Sequence, residues 1–387
     1  MKIGIVGAGP AGLYFALLMK RANPTHQITI IEQNPPGATY GWGIVFSGRA
    51  LTFLEKSDAT AYQALRAHLR IWDELQIGHQ NEMVAIDGSR FSGIARATLL
   101  TLLQEQCLAA GVTIHFSTPL TDLACFADCD LIVGADGINS LVRSRYADHF
   151  QPTIQTLSNK YIWYGVRQPF PALSLIFRTN ADGAFVAHAY PYSHDTSTFI
   201  VECDEASWRQ AGLEAMSDAE SRAYCQRVFA ADLQGQPLLS NKSTWLNFKA
   251  VTNQRWHYQN VVLLGDALRT VHFSIGSGTR TALEDAIVLF EALQAQGDQV
   301  EAALHSFEAH RRPTSDQLLA VAQKSYHWYE QFRDYLSLSP LDLAYSYMTR
   351  SGQVSHEKLR QQAPRFMDAY CAGRQISAQA LTPVLAY

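Results

Sequence analysis

Apolar positions along the chain follow three rhythms, and each predicts its own kind of element. Short apolar runs at Ile3, Ile5 and Val6, and at residues 27–31, 130–133 and 260–264, read as strands. A longer apolar run at residues 13–19 follows a glycine-rich turn and reads as a helix, and Leu99, Leu100, Leu102 and Leu103 mark an amphipathic helix that opens near Arg96. Between residues 160 and 203 the pattern switches to period two. KYIWYGVRQPF, LSLIFRTN, AFVAHAYPYS and STFIVEC read there as antiparallel strands parted by turn residues. After Glu291 the pattern is mostly helical and carries an aromatic stretch from Tyr326 onward to Tyr347, expected as a packed helical cap or a dimer face.

The first strand, the turn Gly7-Ala8-Gly9-Pro10-Ala11-Gly12 and the following helix form a dinucleotide fingerprint. Gly7 permits the tight turn, Gly9 lets the backbone approach a pyrophosphate, and Gly12 lets helix and strand pack closely. The helix start offers unpaired N–H groups and a positive dipole end to the phosphates. Glu32, 20 residues beyond Gly12 at the end of the next strand, suits a ribose hydroxyl. The fingerprint fits NAD or FAD. No second GxGxxG follows, so one stable dinucleotide site is the economical reading.

Composition narrows the class. The chain has 387 residues, 47% of them hydrophobic, enough to bury a large core in two or three structural units. Its net charge of −4, with no long run of Lys and Arg, gives no footprint for nucleic acid. Cys107, Cys125, Cys129, Cys203, Cys225 and Cys371 show no paired CxxC spacing and read as reduced thiols. No apolar stretch approaches a membrane span or a signal peptide, so a cytoplasmic protein without membrane contact is expected. The 13 histidines lack paired-ligand spacing, which argues against a metal site, and no GxSxG nucleophile occurs.

Two later motifs complete the picture: DLIVGADGINSLVR, with the spacing DGxxSxxR from Asp136 to Arg143, and LLGDALRTVHFSIGSG, with Gly265-Asp266 and then Gly276, Gly278 and Asp285. In this order the three motifs resemble the flavin-dependent aromatic hydroxylases, single-component monooxygenases that use FAD, NADPH or NADH, and oxygen. The resemblance covers nearly the entire chain. It implies an α/β fold: a Rossmann-type FAD-binding domain (1–155 and 250–295), an interposed mostly antiparallel β-sheet substrate domain (156–249) and a C-terminal helical region (296–387).

By the same resemblance, the loop Tyr40-Gly41-Trp42-Gly43-Ile44 lies along the flavin ring, with the Gly43–Ile44 backbone at its edge and Trp42 near ring or substrate. Arg96 meets the FAD pyrophosphate, Asp136 sits near it and helps handle the nicotinamide cofactor, and Arg143 holds that motif together. Gly265-Asp266 meets the ribityl chain, while Gly276, Gly278 and Thr279 stand at the helix start beside the pyrimidine end. With Gly7, Gly9, Pro10, Ala11, Gly12 and Glu32 these are the expected cofactor residues. Trp163, His188, Phe199 and Phe273 are the pocket candidates beside Trp42, and His272, Ser274 and Tyr190 the polar candidates to orient a ring substituent. For the strand residues a one-residue shift would exchange the two faces.

Three positions depart from the family pattern: Arg269 where a His is common, Phe273 where a Pro is common, and Arg280 where an Asn is common. Phe273 puts any substrate-activation scheme borrowed from the phenol hydroxylases in doubt. GPAGLYFALLMK, YGWGIVFS, HFSIGSGT and AYSYMTRSGQVSHEKLR are similar to the salicylyl-CoA and anthraniloyl-CoA hydroxylase group, and NKYIWYG and STFIVEC also to the tryptophan hydroxylase of violacein biosynthesis. The chain ends at Tyr387 without the second reductase unit of the anthraniloyl-CoA enzyme, so hydroxylation without ring reduction is expected. The expected substrate is an aryl-CoA thioester, with tryptophan or an indole derivative as the alternative. Arg167, Arg178 and Lys249 are candidate CoA contacts. A homodimer is left open. A flavin reductase or dehydrogenase not using oxygen lacks its redox CxxxxC here, a halogenase lacks its WxWxIP, and a non-catalytic FAD-binding protein would show no substrate-stimulated NAD(P)H oxidation.

Overall fold

The computed structural model describes residues 1–39, 41–48, 54–55, 58–297 and 299–373. Tyr40 and residues 374–387 of the expected helical region lie outside the described residues.

Lys2–Val6 is flanked on both edges by parallel partners, Gln27–Ile31 and Leu131–Gly134, in a six-stranded sheet. Thr113–His115 extends it beyond Gln27–Ile31, and Val261–Leu263 with His257–Tyr258 extends it on the other side. Such strands are covered on both faces, which is why their sequences run apolar without alternation. Helix Pro10–Ala22 covers one face and packs against Arg96–Ala109 and Gly278–Gln296. At Gly12 an added Cβ would run into the Gly7 carbonyl oxygen, so this helix sits as close to its strand as backbone allows.

The second sheet has eight strands. Pro152–Val166, Ser197–Cys203, Gly183–Pro191 and Leu173–Asn180 are consecutive antiparallel neighbours, with Leu246–Asn253 paired along Pro152–Val166. Leu75–His79 joins in parallel beside Leu173–Asn180 and pairs with Glu82–Ile86. These two strands fall in the segment expected with the dinucleotide unit, yet their hydrogen bonds belong to the larger sheet. A third, three-stranded sheet of Gly43–Ser47, Phe91–Ala95 and Arg70–Trp72 lies between.

Period two divides the larger sheet into two faces. Ile162, Tyr164, Val166, Phe199, Val201 and Cys203 bury one face under Trp208, Tyr224 and Phe229. The other face carries Tyr161, Trp163, His188, Ile200 and Glu202, because Tyr161 pairs with Glu202 and Trp163 with Ile200. The aromatic stretch near the C-terminus is core: Trp328, Tyr329, Phe332 and Tyr347 pack with Leu75, Ile77, Leu175 and Phe177. None of the described helices is long and apolar enough to cross a membrane.

Candidate active site

One cavity of about 1280 Å³ runs from the first glycine turn, past the third sheet, to the aromatic face of the larger sheet. Its first part is backbone. Gly9, Pro10 and Ala11 line it from one helix start, and Gly276, Gly278 and Thr279 from another. Neither start is capped by a side chain: Gly9 and Ser277 occupy the capping positions without a side-chain hydrogen bond, and neither first turn contains an acid. Two sets of unpaired N–H groups thus face one space, which favours an anionic guest.

Gly9 and Gly7 act differently. At Gly7, with φ +101°, a Cβ would strike the Ala135 carbonyl. At Gly9 a Cβ would meet nothing nearer than Ala135 O at 3.9 Å. The protein itself does not require glycine there. A guest needing the backbone surface does.

Arg96 and Asp266 line the same part of the cavity. Burial pulls the Arg96 guanidinium down from its usual value, opposed by the charge of Asp266, and its Nε is buried with no hydrogen-bond partner. Asp266 is open to the cavity but deep within the protein. That enclosure raises its carboxyl, against the pull of Arg96 and Arg269. Gly43 and Ile44 complete this part. The Gly43 N–H donates to Thr198 Oγ1 at 2.8 Å and its carbonyl accepts from Tyr190 Oη at 3.0 Å. The loop is pinned on both sides.

A cation for a diphosphate, an acceptor for a polyol hydroxyl, two uncapped helix starts and an exposed glycine backbone fit FAD. The comparisons agree. Residues 1–322 match the family model described as an FAD binding domain. The chain belongs to this family. It is 40% identical over 361 residues to a salicyloyl-CoA 5-hydroxylase of a Streptomyces species, covering 91% of this chain and 70% of that protein. It is 37% identical to the protodeoxyviolaceinate monooxygenase of Chromobacterium violaceum, over 90% of this chain and 94% of the relative. A 3-hydroxy-4-methyl-anthranilyl-[aryl-carrier protein] 5-monooxygenase of Streptosporangium sibiricum is 35% identical, over 93% and 97%. Two solved structures share the fold at a TM-score of 0.69: PqsL of P. aeruginosa in complex with 2-aminobenzoylacetate (21% identity, 87% of this chain and 98% of that one) and a 2-methyl-3-hydroxypyridine-5-carboxylic acid oxygenase (19%, 93% and 95%). The chain is an FAD-dependent aromatic monooxygenase.

Glu32, Asp136 and Arg143, expected at or beside the cofactor, are bonded within the frame and are not among the residues that line the cavity. Glu32 accepts from Ala8 N and Asn34 N, both at 2.8 Å, and so ties the glycine turn to the second strand. Asp136 turns its Oδ2 to the helix start at Leu141 N (2.6 Å) and Val142 N (3.2 Å), while its neighbours Ala135, Gly137 and Ile138 line the cavity. Burial raises its carboxyl, and Oδ1 is left without a partner. Arg143 binds the carbonyls of Ala267, at 3.0 Å, and Ile138, which links the two later motifs.

In the second part of the cavity, Trp163, His188, Tyr190, Phe273 and Ser274 are brought together as expected. Three candidates are not. Phe199 faces the opposite side of its strand, packed on Phe170 and Phe229, and its neighbour Ile200 faces the cavity. Trp42 lies over Gly165, where an added Cβ would meet its ring at 2.6 Å. His272 is buried behind Phe273 and takes Ser274 N on its Nδ1 at 3.2 Å. Burial lowers its pKa to about 4, so it is neutral at physiological pH. Tyr190 and Ser274 also have protein partners, Gly43 O and Ser325 Oγ.

Sequence reasoning missed Tyr161, Leu175, Ile200 and Phe248 on the walls, and the C-terminal segment of Tyr347, Met348 and Arg350 that closes them. Tyr161 was readable from the strand period once Trp163 was chosen; Ile200, on another strand, was not. The closing segment has no local signal. Arg350 fastens it, donating to Ser274 O and Ser325 Oγ, both at 2.9 Å. The suggested CoA contacts are elsewhere: Arg178 pairs with Asp232, and neither Arg167 nor Lys249 lines the cavity, whereas Arg90 and Lys358 do.

Proposed function

We propose that this flavoprotein hydroxylates the ring of an aryl thioester, salicylyl-CoA or anthraniloyl-CoA, with NADPH or NADH and oxygen. The observation that carries the reading is the cavity itself. Its aromatic end continues outward between Ser89 to Phe91 and Gln353 to Gln362, past Arg90 and Lys358, a course suited to an aryl group on a long anionic carrier. The names of two relatives, which act on a CoA ester and an aryl-carrier-protein ester, support it.

In this reading Gly9, Pro10, Ala11 and Arg96 hold the FAD diphosphate, Asp266 a ribityl hydroxyl, and the Gly276 to Thr279 backbone the pyrimidine end. When bound, FAD takes reducing equivalents from NAD(P)H and supplies the chemistry that places one atom of oxygen on the ring. The protein positions and dries the reactants. Phe273, Phe248, Tyr161 and Ile200 enclose the ring, and the segment fastened by Arg350 excludes water. The expected setting is the cytoplasm.

An indole-derived substrate is the second reading, favoured by a relative that acts on protodeoxyviolaceinate and matches along 94% of its length. Substrate-stimulated NAD(P)H oxidation separates the two. Salicylyl-CoA or anthraniloyl-CoA should stimulate it and the free acids should not. Stimulation by tryptophan or protodeoxyviolaceinate, with none by the thioesters, would move the protein to the indole branch.

A further inference from the structure

The aromatic face of the larger sheet buries the carboxylate of Glu202, to which no Lys or Arg among the described residues is bonded. Glu202 is 1% exposed, and its Oε2 lies 3.0 Å from Nε2 of His188, 5% exposed and a cavity-lining residue. Asn159 Nδ2 donates to Oε1 at 2.8 Å and to Tyr329 O at 2.9 Å, which fixes the carboxylate. Burial pushes the Glu202 carboxyl up, but the hydrogen bonds it accepts from His188 and Asn159 hold it below its ordinary value. An ionised Glu202 assigns the imidazole proton to Nε2. Nδ1 has no hydrogen-bond partner among the described residues, so it carries the lone pair.

We propose that His188, oriented by Glu202, accepts the proton of a ring hydroxyl on the substrate. The proposal rests on the aryl-thioester reading and narrows it to a phenolic thioester. In this step the substrate O–H bond breaks and an Nδ1–H bond forms. The electron pair stays on the oxygen and enriches the ring carbons ortho and para to it. The imidazolium that results is paired with Glu202, the arrangement by which a buried carboxylate orients and stabilises a histidine base in hydrolases. His188 is the catalytic residue and Glu202 the positioning residue.

The surroundings leave this role to His188. His272 faces the same carboxylate but is buried behind Phe273, with its Nδ1 occupied. Tyr161 lines the same face and burial pushes its hydroxyl up to about 12, so it donates and does not take up a proton. Tyr329 stacks on the His188 ring at 5.1 Å, and Phe273 meets it edge-on at 5.4 Å, holding its plane. Glu330, at the end of helix Val300–Glu330, and Arg350, just after helix Pro340–Thr349, act on His272, and Arg350 also on Tyr329.

The test uses the oxidised holoenzyme and two ligands, salicylyl-CoA and benzoyl-CoA, which differ by the hydroxyl. Wild type should bind salicylyl-CoA about tenfold or more tighter than benzoyl-CoA and show the absorbance of a bound phenolate. His188→Gln should bind both alike, without the phenolate band. Glu202→Gln should retain benzoyl-CoA and weaken the band. A His188→Gln protein that keeps both preference and band overturns the proposal and leaves the thioester reading standing. If neither ester binds wild type, the reading fails and the proposal with it. A second measurement needs no variant. In weakly buffered solution below the phenol's own titration range, phenolate formation on binding should release no proton to solvent; release of one proton per ligand shows that His188 did not take it.

Discussion

Arg269 holds Asp285 through two parallel hydrogen bonds, Nη1 to Oδ2 at 2.7 Å and Nη2 to Oδ1 at 2.6 Å, with side chains 2% and 0% exposed. Arg311 adds Nε to Oδ1 at 2.9 Å and reaches Glu284 at 2.7 Å, and the Gly265 N–H donates to Asp285 Oδ2 at 3.2 Å. The arginine that departs from the family pattern is therefore half of an anchor for the turn bearing Asp266. Arg280, the other charged departure, bonds Glu284 at 2.6 Å and joins the same network.

Asp285→Asn leaves the buried Arg269 guanidinium without its carboxylate and Arg311 with Glu284 alone. Urea unfolding of the apoprotein should show a loss of about 3–5 kcal/mol. The arginines hold the Asp285 carboxyl below its usual value, so its contribution is present above the ordinary carboxylate range and is lost as pH falls through the lowered one.

Gly9→Ala and Gly7→Ala should separate cofactor binding from folding. The first adds a Cβ into open space, so the apoprotein should unfold within about 0.5 kcal/mol of wild type while FAD affinity falls. The second meets the Ala135 carbonyl at φ +101° and should destabilise the apoprotein itself.

Arg96→Ala removes the buried cation of the cofactor half. Fluorescence titration should find FAD held about 10- to 100-fold more weakly, the range of a hydrogen bond to a charged group.

Phe199→Ala should cost about 3–5 kcal/mol with little change in substrate KM, because Phe199 lies in the core behind the sheet. Ile200→Ala should raise KM at a smaller stability cost. Equal effects of the two on KM would contradict the facing assigned here.

The same pair shows what the sequence could reveal. The period of two put both residues on a strand and made Phe199, with Trp163 and His188 on neighbouring strands, a candidate for the cavity side. It could not say which of Phe199 and Ile200 shared that side, since an aromatic is equally at home in a core. The glycine turn, Asp266 and Arg96 were legible because a dinucleotide demands those groups in a local order. The backbone N–H groups that Glu32 and Asp136 bind were not, because a carboxylate at a strand end can serve a ribose or a backbone N–H equally well by spacing. Glu202 and Arg350 escaped for another reason: the strand register that sets Glu202 diagonally across from His188, and the packing that brings Arg350 to Ser274 and Ser325, are not local in the sequence.

His272, lowered from 6.5 to about 4 by burial, binds its proton more readily when unfolded. Stability is therefore full above about pH 6.5 and falls as pH drops toward 4, by up to about 3 kcal/mol. His272→Gln should flatten that part of the curve of melting temperature against pH.

We propose that this protein places one atom of oxygen on the ring of an aryl thioester. Turnover of salicylyl-CoA under ¹⁸O₂ tests it directly. The product should be a thioester carrying one ¹⁸O on its ring, with NAD(P)H and oxygen consumed in equal amounts. NAD(P)H oxidation with no oxygen uptake, or oxygen uptake recovered entirely as peroxide, would contradict it.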